Sequence, residues 1–308
     1  HLNAKKQISR LIGQWINGKM TGGCIGFCGP PGVGKTTLCK NGLSKCLIND
    51  DGTSRPFAFV PLGGSSNGPL LEGHHYTYLG STWGKIVDIL INTKCMNPII
   101  YIDEVDKISK TEQGKEIISI LTHITDTSQN MEFNDRYFAG IPIDLSKVLF
   151  IFSYNDSGAI DYILKDRIHE IQIKALTRTE KIKITNDYIL PEILNIVGFQ
   201  RHAVIIKRSE IFYLIDNYTY EAGVRKLREH LLVIIREINL QLILDTISLP
   251  YIITESFIKD VFSDKQVIKI KRIADKPYIG LVNGLYATSA SIGGLTIIEV
   301  LKTPSTQD

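Results

Sequence analysis

Apolar residues at Ile8, Leu11, Ile12, Trp15 and Ile16 recur near helical spacing, so an amphipathic helix is expected over 4–18. The pattern then changes. Cys24-Ile25-Gly26-Phe27-Cys28 is a short apolar run that stops at Gly29-Pro30-Pro31-Gly32, which reads as a buried strand meeting a turn. Leu38, Leu43 and Leu47 space a helix over 36–47. A second strand is expected over 57–62, a loop over the Gly-, Ser- and Asn-rich stretch 63–73, and a helix over 83–91. Two later runs, 98–102 and 147–152, carry apolar residues on both faces, as strands inside a helix-covered parallel sheet do. Ile168–Ile173 alternates and reads as an outer strand. Strands alternating with helices predict an α/β fold around a parallel sheet.

The character shifts after about residue 174. Thr177 is a candidate N-cap, and Glu180 three residues on completes a capping box. Helical patterns follow over 178–189, over 208–217, and from Glu221 to about Leu244. Thr254 is placed to cap one more helix running to Phe262, and from Val267 the chain turns β-like. Three parts are therefore expected: an α/β domain over 1–173, a small all-helical domain over 174–263, and a short β-rich segment over 264–308.

Composition narrows the class. At 308 residues, 44% apolar and 22% charged, the chain has the make-up of an ordinary globular protein. Its formal charge of +3 is small and mixed along the sequence, so nucleic acid is not indicated. The five cysteines, an odd number, do not describe a disulfide framework. Cys24 and Cys28 lack a second Cys/His pair that would make them half of a metal site. Buried, reduced thiols are expected instead, and with them an intracellular location, the cytoplasm first and the mitochondrial matrix second. The longest apolar stretches fall well short of the roughly 20 residues that cross a bilayer, so no membrane partner is expected. The chain opens on His1 rather than Met, shows no signal or transit peptide, and reads as an internal piece.

The chemistry is carried first by Gly29-Pro30-Pro31-Gly32-Val33-Gly34-Lys35-Thr36, which matches the G-x-x-x-x-G-K-[ST] pattern between a strand and a helix. Glycines let backbone N–H groups converge on phosphates, and the helix N-terminus favours the same anion. Lys35 supplies a charge for the β- and γ-phosphates of ATP, and Thr36 a hydroxyl for Mg²⁺. Ile99–Ile102 followed by Asp103-Glu104 sets two carboxylates at the end of a buried strand. Asp103 would hold Mg²⁺ and Glu104 would orient and polarise the attacking water. Asn155, at the end of the run Phe150-Ile151-Phe152-Ser153-Tyr154, fits a sensor contacting the γ-phosphate or the water; it also fits an asparagine starting a turn. Arg167 is a candidate arginine finger acting on a neighbouring subunit, or else a surface partner of Asp166 or Glu170. Arg225 opens the long helix of the second part and is a candidate second sensor, or else a solvated helix arginine.

Taken together these segments resemble the Lon family of ATP-dependent proteases over nearly the whole chain. Gly29 to Thr37 reads GPPGVGKTT, with Thr37 included in the nucleotide loop. Leu62-Gly63-Gly64 precedes Gly73-His74-His75-Tyr76-Thr77-Tyr78-Leu79-Gly80, similar to the family's LGG…GHRRTYxG segment. Tyr101 to Ser109 reads YIDEVDKIS, Asp144 to Val148 DLSKV, Leu164 to Ile168 LKDRI, and Tyr220 to Leu227 YEAGVRKL. Val282-Asn283-Gly284-Leu285 and Gly293-Gly294 resemble the place where the family's protease domain begins, so 264–308 is read as a linker and the truncated start of that domain. The resemblance implies an AAA+ fold, ATP and Mg²⁺ as cofactors, a hexameric ring, and unfolded or misfolded proteins threaded through its pore. Tyr78 and Leu79 match the pore-loop pair that grips substrate; from the residues alone, Tyr78 equally fits a tyrosine packing its own loop.

This chain departs from the family pattern in three places. Asn67-Gly68 replaces an acidic pair. Glu72 replaces an arginine, and His75-Tyr76 replaces two more. By family spacing the Ser–Lys peptidase dyad lies beyond Asp308, and Ser289, Ser291 and Lys302 are not assigned to it. Two other readings remain open here: an ATP-dependent scaffold that does not hydrolyse, and a motor acting on nucleic acid, which the near-neutral charge disfavours.

Overall fold

A computed structural model describes residues 2–17, 22–49, 51–64, 68–267, 278–287 and 293–302. The chain divides into two compact units, one of 1–29 and 34–174, the other of Pro30–Val33 with residues 175 onward.

In the first unit the helix Leu2–Asn17 precedes β1 (Gly23–Cys28), β2 (Phe57–Pro61), β3 (Ile99–Asp103), β4 (Phe133–Asn134), β5 (Pro142–Ile143), β6 (Leu149–Tyr154) and β7 (His169–Gln172). Five of these form a parallel sheet in the order β2-β3-β6-β1-β7, while β4 and β5 pair with each other antiparallel. The fold class is the α/β one expected, and β7 is the outer strand that its alternation suggests. The register sets Cys28 opposite Tyr154, Ile102 opposite Phe152, and Pro61 opposite Asp103. Because the strands run the same way, the chain leaves β1, β3 and β6 along one sheet edge. A parallel sheet needs cover on both faces. One core gathers Ile100, Ile102, Phe150 and Phe152 from the sheet with Ile86, Leu90, Ile117 and Leu121 from helices Lys85–Thr93 and Glu112–Thr125. Burying each such side chain is worth about 1.5–3 kcal/mol.

Some local expectations need correcting. The helix expected over 36–47 starts at Lys35 and runs through 46, with a π-helical stretch at Leu38–Leu43. The expected loop over 63–73 contains a short helix, Pro69–Glu72, with proline at its first position, where no N–H is needed. The helix Glu112–Thr125 is additional. Thr111 caps it by accepting from the Gly114 N–H.

The second unit holds a continuous helical run over 178–197, the helices Arg208–Tyr218, Arg225–Ile243 and Glu255–Val261, and a core of its own that includes Ile193, Ile211, Leu214, Leu231, Ile234 and Ile258. Thr177 and Glu180 form the capping box, and Thr254 caps the last helix. The unit is not all-helical: β8 (Val204–Ile206) and β9 (Tyr251–Ile253) pair in parallel. The β-like tail is an antiparallel pair, β10 (Leu281–Ala287) with β11 (Gly293–Glu299). Among the described residues no helix is long and apolar enough to cross a membrane.

Candidate functional site

The turn after β1 is shaped by its glycines. Gly32 and Gly34 adopt φ of +75° and +90°, a region that side chains with a Cβ disfavour. A Cβ on Gly29 would stand 2.2 Å from the Ile173 carbonyl. Beyond Gly34 the helix starts at once, with the Leu38 N–H donating to the Gly34 carbonyl at 2.9 Å. Pro31 and Thr37 are exposed, Pro30 is half-buried and Val33 is buried.

Lys35 is only 9% exposed. Its Nζ donates to the Gly29 carbonyl at 2.5 Å and to Asn155 Oδ1 at 2.7 Å. Burial lowers its pKa below the ordinary lysine value, against the opposing pull of Asp103 and then Asp106. Thr36 Oγ1 donates to the hydroxyl of buried Tyr101 at 3.2 Å, which leaves the threonine's lone pairs for a cation.

Asp103 ends β3. Glu104 follows with φ of 58°, a conformation costing on the order of 1–3 kcal/mol in a residue with a side chain. Its carboxylate is ion-paired to Lys107 and crowds Gly63, where a Cβ would lie 2.0 Å from Oε2. Asp106 Oδ2 accepts from the N–H groups of Asn155 and Asp156 at 3.0 and 3.2 Å. So the ends of β1, β3 and β6 are laced together: Lys35 binds Asn155, and Asp106 binds the backbone that carries Asn155. Gly63, Tyr101 and Asp106 also take part, although the sequence alone assigns no role to them. The signal for Asp106 was its place two residues past Glu104 in the same acidic turn.

The remaining candidates have other partners. Arg167 is not paired to Asp166 or Glu170; its guanidinium is ion-paired to Asp126. Glu170 instead accepts from the hydroxyls of Tyr154 and Ser157 at 2.9 and 2.6 Å. In the second unit, Arg225 opens its helix largely exposed, 3.7 Å from Glu229. The Gly32 carbonyl accepts from the Val224 N–H at 3.1 Å, and Gly223 approaches Gly32 so closely that a Cβ would lie 2.2 Å from its carbonyl carbon. Tyr78 and Leu79 sit at an exposed turn. Glu72 pairs with Arg136, which also reaches Glu116 at 2.5 Å. His74 and His75 are exposed, and no metal-binding group of three or more His, Cys, Asp or Glu occurs among the described residues. Asn67, Ser289 and Ser291 lie outside the described residues.

The residues present fit a magnesium nucleotide. A buried ammonium faces neutral acceptors, a helix begins at an open glycine, and one oxygen of Asp106, Oδ1, is buried without a hydrogen-bond partner. Such a carboxylate oxygen is costly to leave unmatched and suits a hydrated cation nearby.

Comparison with known proteins identifies the two parts of the chain by family. A family model described as the ATPase family associated with various cellular activities matches residues 25–176, and one described as the Lon protease AAA+ ATPase lid domain matches 196–249. The chain thus carries an AAA ATPase domain followed by a lid domain of the Lon type. A Lon protease homolog of Acanthamoeba polyphaga mimivirus is 35% identical over 98% of this chain and 34% of its own length. The Lon protease of Campylobacter concisus is 36% identical over 95% of the chain and 35% of its length, and that of Methanosarcina barkeri 33% over 95% and 35%. Within the AAA class, then, it is an AAA+ module of the Lon type. It spans about a third of the length of these curated relatives.

Proposed function

We propose that this module binds ATP with Mg²⁺, hydrolyses it, and as a homo-oligomeric ring, a hexamer, uses the energy to unfold and thread protein substrates for a peptidase whose Ser–Lys dyad lies outside this chain. The observation that carries the reading is the convergence of Lys35, Asn155 and Asp106 at the sheet edge that also presents Asp103 and Glu104. Gly29–Thr37 supplies the phosphate cradle, and Lys35 sets its charge against the β- and γ-phosphates. Thr36 and Asp103 hold Mg²⁺, which when bound neutralises charge on the phosphate oxygens. Glu104 orients the attacking water, and Asn155 contacts the water or the γ-phosphate. Arg167 reaches the nucleotide of the neighbouring copy, and Arg225 acts as the second sensor. Tyr78 and Leu79 grip the threaded chain. An intracellular setting goes with the five free cysteines, since thiols persist unpaired in a reducing compartment.

Steady-state phosphate release by Glu104→Gln tests the reading. The variant should bind ATP as the wild type does and turn over at least about 100-fold more slowly, the lower range for loss of a general base. Equal rates in the two would end the assignment of Glu104 as the residue that activates water, and no phosphate release by the wild type would end the hydrolytic reading.

A further inference from the structure

Arg167 follows the short helix Tyr162–Asp166, and its partner comes from elsewhere in the same unit: Asp126, the C-cap residue of the helix Glu112–Thr125. Asp126 is fixed before it meets the arginine. Its Oδ1 accepts from the Ser128 N–H at 2.9 Å and the Ser128 hydroxyl at 2.7 Å. Its N–H donates to the His123 carbonyl at 3.2 Å, and its own carbonyl accepts from the Gln129 and Asn130 N–H groups at 3.0 and 2.9 Å. Only Oδ2 remains, and Arg167 Nη1 takes it. The two side chains are 31% and 18% exposed, so this is not one of the fully solvated pairs that contribute almost nothing.

A guanidinium has five N–H donors in a rigid fork. Held by one carboxylate oxygen, it still offers donors to a phosphate. An arginine that must reach a second copy loses rotamer freedom on arrival, and a partner that restricts it beforehand removes part of that cost. A neighbouring carboxylate also offsets some positive charge, so the opposite role, a latch that withholds the finger, predicts the opposite sign on removal. The rigidity of Asp126, tied at five other hydrogen bonds, favours alignment over release.

We infer that Asp126 is a positioning residue for Arg167, holding its guanidinium in the pose from which it serves the neighbouring copy's ATP. The inference rests on the trans role proposed above for Arg167. The test is a cycle of Asp126→Ala, Asp126→Asn, Arg167→Ala and Asp126→Ala/Arg167→Ala in the assembled protein, read as kcat and KM for ATP. Arg167→Ala should lower kcat about 1000-fold, the smaller end of the range for a lost arginine finger. Asp126→Ala should lower kcat about 10- to 100-fold at unchanged KM, as misplacement of a catalytic group does. Asp126→Asn, which keeps an acceptor and the turn, should recover most of that loss and serves as the folded control. The double variant should be no slower than Arg167→Ala alone, because Asp126 acts only through the arginine. Full rate or faster turnover in Asp126→Ala, no recovery in Asp126→Asn, or additive losses in the double variant would overturn the inference. Wild-type turnover in Arg167→Ala would overturn the finger assignment itself, and so is distinguishable.

Discussion

Gly63 and Glu104 are packed so closely that a Cβ on residue 63 would stand 2.0 Å from Glu104 Oε2 and 3.0 Å from its carboxyl carbon. The atoms first met are the far end of a flexible side chain, not backbone, so Gly63→Ala should be accommodated by moving the Glu104 carboxylate. The fold should survive with a stability loss of about 1 kcal/mol, the cost of an off-rotamer side chain. ATP affinity should stay within about twofold while turnover falls about tenfold or more, since the group proposed to orient water is displaced. Unchanged turnover in Gly63→Ala would mean that the position of Glu104 in this structure is immaterial to the reaction.

The two sides of this contact show what a sequence displays and what it conceals. β1, β3 and β6 are legible because each is a largely apolar run that stops at glycine and proline, at two acids, or at an amide. Lys35, Asp103 and Asn155 can be placed at strand ends from the sequence, but their meeting depends on strand order, with β6 between β1 and β3. Partners far apart in the chain stay hidden. Asp166 and Glu170 are the acids beside Arg167 in sequence, yet Asp126 holds it. The helix Glu112–Thr125 is different: Ile117, Ile120, Leu121 and Ile124 carry the helical period in plain view. Its polar start, Glu112 to Glu116, and the polar residues Ser119, Thr122 and His123 dilute the pattern, and no motif draws attention to it. In the second unit, β8 and β9 escape because strands of three residues are too short to show alternation.

The same Asp126–Arg167 pair sets an expectation for pH. The Arg167 hydrogen bond, followed by the two from Ser128, holds the Asp126 carboxyl well below the usual carboxylate range. A depressed acid pKa means that the folded chain binds this proton more weakly than the unfolded chain does. Its stabilising contribution is therefore complete above the ordinary aspartate value of about 3.9 and is lost only as pH falls through the lower folded value. Between about pH 5 and pH 8 the Asp126 carboxylate therefore stays charged, so the ratio of wild-type to Asp126→Asn turnover should be flat across that window. A ratio that drifts steadily through this range would show that Asp126 titrates there and that Arg167 does not hold its charge.

The exposed turn at Tyr78 and Leu79 has a built base, and the two parts should fail differently. Tyr78 is 69% exposed and Leu79 fully so, at a turn closed by the Tyr78 N–H on the His75 carbonyl and the Ser81 N–H on the Tyr78 carbonyl, both 3.1 Å. At the neck the His74 N–H donates to the Thr82 carbonyl at 3.0 Å. Gly73 lies against Gly84, where a Cβ on Gly73 would be 2.7 Å from the Gly84 nitrogen. Asp135, fully buried, accepts from the Gly84 N–H at 2.8 Å and from the Tyr137 N–H at 2.9 Å. Tyr78→Ala removes a solvated ring and should change stability by no more than about 0.5 kcal/mol, like other exposed substitutions. Its basal ATP turnover should persist, while ATP-dependent unfolding of a fluorescent protein substrate should fall about tenfold, or about 1.4 kcal/mol, the scale of one aromatic contact with the gripped chain. Asp135→Ala instead strands buried N–H groups and should cost about 1–3 kcal/mol, seen as a lower Tm, together with the unfolding defect. Wild-type unfolding rates in Tyr78→Ala would remove the gripping role from this turn, whatever Asp135→Ala does to stability.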